Sequence, residues 1–135
     1  MKYLLILLSF TFLFSCNNDY NSYVKPENAL DAGRQFIDNA LKGKFNNAKK
    51  YMLQDEENNY WLAKWSEEFN KISEQEKTGF SNASINIMEI TDIIADSVTI
   101  IHYTNSFKNK PQKIKVLKSN DTWMVDFKYT FSGNL

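Results

Sequence analysis

Few side chains in this sequence are suited to chemistry, and their positions restrict what that chemistry could be. The sole histidine, His102, is the first candidate for proton transfer, because only an unperturbed imidazole changes charge near neutral pH. It sits in an alternating run from Val98 to Ser106 and shares a strand face with Val98 and Ile100, so an inward orientation would place it in the interior, with Tyr103 next to it in the chain. Asp126 is the carboxylate that could serve with it as an acid–base pair. Alternation sets Asp126 on the face away from Trp123, Val125 and Phe127, toward solvent or the open side of a sheet. His102 and Asp126 are therefore the nearest approach to a catalytic set, and they do not complete one.

A second group could bind rather than react. Trp61 and Trp65 lie four residues apart on one helical face, with Tyr60 beside them. Paired aromatics of this kind form a stacking wall for a flat ligand. Core packing against the sheet is the preferred reading of the same spacing, since the stripe continues into Phe69 and Ile72. A buried indole N–H needs a partner, however, which favours one of the two lining a cleft. Tyr60, Trp61, Trp65, His102 and Tyr103 are the candidate pocket-lining residues. The acidic pairs Glu56–Glu57 and Glu67–Glu68 lack the alternating oxygens and central glycine of a calcium loop. No zinc spacing, phosphate-cradling glycine loop or nucleophile elbow is present, so neither a metal nor a cofactor is expected.

Cys16, the only cysteine, follows an apolar run from Tyr3 to Phe14 that is preceded by Lys2 and succeeded by Asn17-Asn18-Asp19. The run is shorter than the roughly 20 residues that a bilayer span requires and has no polar face for a core helix. It reads as a secretory signal over residues 1–15. Leu13-Phe14-Ser15-Cys16 resembles the lipobox of bacterial lipoproteins, with Phe14 bulkier than the usual occupant of its position. The resemblance implies cleavage before Cys16, lipid on its thiol (palmitate among the acyl groups) and acylation of the new amino group. The chain would then be a lipid-anchored membrane protein of the bacterial cell envelope, the outer membrane favoured. Residues 16–26 would be the lipidated cysteine and a polar tether. An exported domain with one cysteine has no internal disulfide, so its core must suffice.

Charge excludes one class of partner. The chain carries 16 basic and 16 acidic residues, and removal of the signal leaves a single acidic residue in excess. Such a balance generates no field that would attract nucleic acid. Aromatic residues make up 15% of the chain, enough for a packed core or for a lined pocket.

These side chains must be positioned by helices first and strands second. Pro26 can open a helix whose stripe is Leu30, Gly33, Phe36, Ile37, Ala40 and Leu41, with Gly43 at its end. A short helix follows from about Lys44 to Leu53. Asp55 can cap a third, which carries Trp61, Trp65, Phe69 and Ile72 and ends at Gly79. The period then changes to two. Strands are expected over Ser84–Ala95, with a bulge near Met88–Glu89, then over Val98–Ser106, Gln112–Lys118 and Thr122–Phe131. Turns fall at Asp96-Ser97 and Asn120-Asp121. The fold class is α+β, with three N-terminal helices packed on one face of a curved, mostly antiparallel four-stranded sheet.

Three stretches carry a family resemblance: Ala40-Leu41-Lys42-Gly43-Lys44-Phe45-Asn46-Asn47-Ala48-Lys49-Lys50-Tyr51, the Asp96-Ser97-Val98 strand entry, and the Val116–Asp126 hairpin. Over residues 27–131 the chain resembles the nuclear-transport-factor-2-like (NTF2-like, cystatin-type cone) superfamily, in particular its small exported lipoproteins. Asn120-Asp121 stands where the usual turn is Asp-Gly. The resemblance implies a cone with a pocket at its wide end and, in some members, dimerisation through the sheet. It leaves three functions open. The leading one is a non-enzymatic, membrane-anchored module that binds a small apolar or aromatic ligand, or an envelope protein. A second is a small enzyme of isomerase or hydrolase type, using His102 with Asp126 or a tyrosine. The third is a structural or assembly lipoprotein with a filled core.

Overall fold

Helix α1 spans Ala29–Leu41, and Asn28 is its cap: the Asn28 side-chain oxygen accepts the Asp31 N–H at 2.9 Å. Pro26, expected to open this helix, instead lies buried before it. The computed structural model from which this is read describes residues 23–133. The signal segment, Cys16 and the tether as far as residue 22 lie outside the described residues. Gly43 follows α1 with φ of +71°, and a Cβ there would come 2.7 Å from the Phe69 ring, so both backbone and neighbour require glycine.

Helix α2, Phe45–Ala48, runs directly into a 3₁₀ turn over Lys49–Tyr51. Helix α3, Glu56–Lys71, is capped by Asp55, whose Oδ1 accepts the Asn58 N–H at 2.9 Å. Helix α4 spans Glu74–Ser81. Among the described residues the α-helices thus number four, not the three expected. The expected third helix breaks at Ile72, which has extended backbone (φ −75°, ψ 160°), and Ser73 caps a new one by accepting the Glu76 N–H at 3.2 Å. Ser73-Glu74-Gln75-Glu76 is a serine followed three residues later by glutamate, a local start signal for α4. Gly79 lies inside α4 and does not end it. A Cβ there would come 2.5 Å from the Phe107 ring, so packing rather than termination accounts for that glycine.

The sheet is an antiparallel meander in the order β1-β2-β3-β4, comprising Ile85–Ile94, Val98–Asn105, Gln112–Ser119 and Thr122–Asp126. Its register shifts between Ile87 and Glu89, where the isoleucine phase changes in the sequence, and again between Asp92 and Ile94. Asn120 and Asp121 both have positive φ, the backbone that a two-residue hairpin with the right twist demands. The last strand is shorter than expected. It stops at Asp126, and Phe127–Phe131 winds into a 3₁₀ helix, although its aromatics alternate as they would in a strand.

Alternation assigns the two sheet faces. Ile101, Tyr103, Ile114, Val116 and Val125 join Phe36, Ile37, Ala40 and Met52 in the core beneath α1. The close approach of α1 is made at Gly33, where a Cβ would lie 2.8 Å from Ile101 Cδ1. His102 pairs with Glu89 and Lys113 on the opposite face. Part of the segment read as tether is docked. The Tyr23 ring lies 5.3 Å from that of Tyr51, and the Val24 N–H points to the Tyr51 hydroxyl at 3.4 Å.

Candidate functional site

A cleft of about 270 Å³ opens between α3 and the C-terminal 3₁₀ helix, lined by Trp61, Lys64, Trp65, Glu68, Gln112, Phe127, Thr130 and Phe131. Its walls are aromatic because α3 presents Trp61 and Trp65 one turn apart. The 3₁₀ helix presents Phe127 and Phe131, also four residues apart. Phe131 stacks on Trp61 with ring centroids 4.0 Å apart and planes 8° from parallel. Trp65 stacks on Phe127 at 5.4 Å and meets Phe45 edge-on at 5.8 Å. Trp65 therefore belongs to both the core and the cleft, whereas Trp61 is stacked on Phe131 at the cleft.

Polar groups enter at a few points. Lys64 and Glu68 stand one helical turn apart at the cleft with opposite charges, and the Lys64 ammonium lies 5.2 Å from the Trp61 ring centroid. Gln112 accepts the Tyr103 hydroxyl at 2.6 Å through its carbonyl oxygen, and among the described residues its amide NH₂ has no acceptor. Thr130 donates to the Lys113 carbonyl at 2.8 Å. The cleft is thus an apolar slot with one uncommitted amide donor and a charge of each sign at hand.

The sequence candidates separate. Trp61 and Trp65 line the cleft. Tyr60, 57% exposed, meets Trp61 edge-on at 5.3 Å from outside it. Tyr103 is buried in the core, and burial pushes its hydroxyl above the ordinary tyrosine range, which makes it a neutral donor to Gln112. His102 is on the far side of the sheet, with Nδ1 3.8 Å from a Glu89 carboxylate oxygen.

Asp126 is on that same far face by register, yet only 4% exposed. It accepts from Lys115 Nζ at 2.7 Å and from Asn58 Nδ2 at 3.1 Å, with Lys128 Nζ 3.6 Å away. Asn58, fully buried, also donates to Asp55 Oδ2 at 2.7 Å and accepts the Lys128 N–H at 2.8 Å. Lys128 closes the circuit on Asp55 at 2.9 Å. The Asn58 N–H and the Lys128 ammonium hold the Asp55 carboxyl down at about 2. Its bonds being so placed, Asp126 fastens the start of α3 to the end of β4, while His102 is directed to Glu89 instead.

Sequence reasoning missed Lys64, Glu68, Gln112, Phe127, Thr130 and Phe131 as cleft residues: the last three because a period of two was carried through the 3₁₀ turn, and Lys64 and Glu68 because they fall on the charged face of α3. The signal for Asn58 was present: it is a polar residue in phase with Leu62 and Trp65 on the buried side of α3. Among the described residues no three histidine, cysteine or acidic side chains gather as metal ligands, and no helix is long and apolar enough to cross a membrane. Comparison with protein-family models, with curated proteins and with solved structures found no match to this chain.

Proposed function

We propose that this protein is a lipid-anchored module of the bacterial envelope, held at the membrane through Cys16, whose NTF2-like domain binds a flat apolar or aromatic ligand without transforming it. The observation that carries the binding reading is the cleft between α3 and the C-terminal 3₁₀ helix, walled by Trp61, Trp65, Phe127 and Phe131. Its volume suits a fragment-sized ligand rather than a large one, since drug-sized sites begin at about 300 Å³. The apolar walls supply the attraction, and the Gln112 amide would fix orientation. The enzyme reading has its own observation in the His102–Glu89 pair, but that pair faces away from the cleft.

The anchor reading rests on the Leu13-Phe14-Ser15-Cys16 sequence. Tyr23 and Val24 contact Tyr51, so the six residues between Cys16 and Tyr23 can span at most roughly 20 Å, at about 3.3 Å per residue. Two or three acyl chains would hold the protein firmly, each buried CH₂ contributing about 0.8 kcal/mol.

Two measurements test the two halves. Planar aromatics and short fatty acids are screened for a rise in melting temperature and a change in tryptophan emission. The expected hit loses its effect in Trp61→Ala while that variant melts close to the parent. A screen without hits, or hits indifferent to Trp61→Ala, would overturn the binding reading. Cys16→Ser should abolish metabolic labelling by a palmitate analogue and release the protein from the membrane fraction. Retention there would overturn the anchor.

A further inference from the structure

The strand β1 is the most exposed apolar element of the domain. Its first part, with Ile85 and Ile87, packs against the core. Beyond the Met88 bulge the strand carries its side chains into solvent: Met88 is 60% exposed, Ile90 47%, Ile93 60% and Ile94 57%. β1 is also an edge, paired with β2 alone among the described residues, so its outer backbone N–H and C=O groups have no strand partner. A long edge with exposed isoleucines is a template for another strand. Natural edges are commonly blunted with lysine, but residues 85–96 contain Glu89, Asp92 and Asp96 and no basic residue.

The acidic residues specify what could add there. Between its two register shifts β1 has one regular run, Glu89–Asp92. Glu89 and Thr91 share the face of His102 and Ile100, and Ile90 and Asp92 share the face of Ile101 and Thr99. Each face of the run therefore presents one carboxylate, three residues apart along the strand. Among the described residues neither carboxylate forms an ion pair with lysine or arginine. Glu89 accepts from the Thr91 hydroxyl at 3.1 Å and stands 3.8 Å from His102, while Asp92 accepts from the Thr99 hydroxyl at 2.7 Å. A second copy of this chain fits poorly. Antiparallel pairing of β1 with itself anywhere in this run would gather four carboxylates into a short ladder with no lysine or arginine between them.

We propose that the β1 edge is a docking site for an extended segment of another protein that carries two basic residues three apart, flanking a β-branched or apolar pair. Such a segment adds a fifth strand next to β1. Its main-chain groups satisfy the open edge, one basic side chain meets Glu89 on one sheet face, and the other meets Asp92 on the opposite face. An apolar residue between them lies against Ile90. The regular run is short, so specificity resides in the two charges and the bulges limit pairing with longer uniform strands.

The test uses the full chain, isotopically labelled in detergent, and capped ten-residue peptides with Lys-Thr-Val-Lys or Glu-Thr-Val-Glu at the centre between Thr-Val flanks. The lysine peptide should shift the β1 amide resonances and slow their hydrogen exchange. It should bind at least about tenfold more tightly than the glutamate peptide and weaken as salt is raised. In Glu89→Lys the preference should shrink, and in Glu89→Lys with Asp92→Lys it should reverse. The single variant changes a side chain that is 62% exposed, and its melting temperature shows whether folding is intact. Equal binding of the two peptides, no binding of either at millimolar concentration, or binding that leaves β1 unaffected would overturn the proposal. So would sedimentation of the unliganded chain as a dimer that Ile93→Lys dissolves, which would assign the edge to a second copy instead.

Discussion

On the side of the sheet beneath α1, Ile101, Ile114, Val116 and Val125 have no exposed surface, and the polar side chains among them are paired hydroxyls, Thr99 on Asp92 and Tyr103 on Gln112. On the other side, Ile100 and Asp126 are nearly as buried, but their neighbours are His102, Lys113 and Lys115, and the carboxylate is enclosed by named donors from α3 and β3. The first side is held by shape and the second by satisfied charge. Burial alone therefore does not separate them; what would be lost on deletion does.

That contrast can be broken at its strongest point first. Phe36→Ala removes a fully buried ring 4.9 Å from Phe127 and 6.4 Å from Trp65. It should destabilise the domain by about 3–5 kcal/mol in denaturant unfolding. Because Trp65 loses its backing, its emission should shift as well. Asp126→Ala tests the charged side. It strips acceptors from Asn58 and Lys115, and since the Lys115 side chain is 28% exposed and can be hydrated, we expect about 2 kcal/mol, below the value for a fully enclosed pair. Asp126→Asn should recover part of it by keeping an oxygen for Asn58.

A smaller effect is expected at Asp55, whose replacement by alanine removes the α3 cap at about 1 kcal/mol. Its carboxyl is held below the ordinary value of 3.8, at about 2, so its contribution is present above pH 4 and is lost as pH falls from 4 toward 2. Asp55→Ala should flatten that part of the stability–pH curve. The effect should diminish in salt, because the side chain is 41% exposed. Smallest of all, Ile93→Thr on the open edge should change stability by no more than about 0.5 kcal/mol.

Much of the layout was legible from patterns of short range. The Asp55 cap, the glycine after α1, the bulge near Met88 and the Asn120-Asp121 turn each depend on a few consecutive residues, and each stands where the residues place it. Trp61 and Trp65 were legible as a pair for the same reason. The errors share a cause of the opposite kind. On β2 both alternating sets are apolar, Val98 and Ile100 against Ile101 and Tyr103, so periodicity marks two faces without saying which meets the helices. At Phe127–Phe131 alternating aromatics resemble a strand. Trp61 and Trp65 are the surfaces that draw Phe131 and Phe127 into a 3₁₀ turn, and they belong to α3, more than sixty residues earlier.

What the sequence determined by itself is the class α+β, the order of helices before a four-stranded antiparallel meander, and the local stops and starts encoded by caps, glycines and turns. Tertiary structure decided which strand face is core, that Asp126 is enclosed, and that two aromatic pairs from distant segments make a cleft. The physical reason is range. Backbone preferences and capping bonds act within a few residues, whereas burial and stacking depend on partners that only the folded chain brings together.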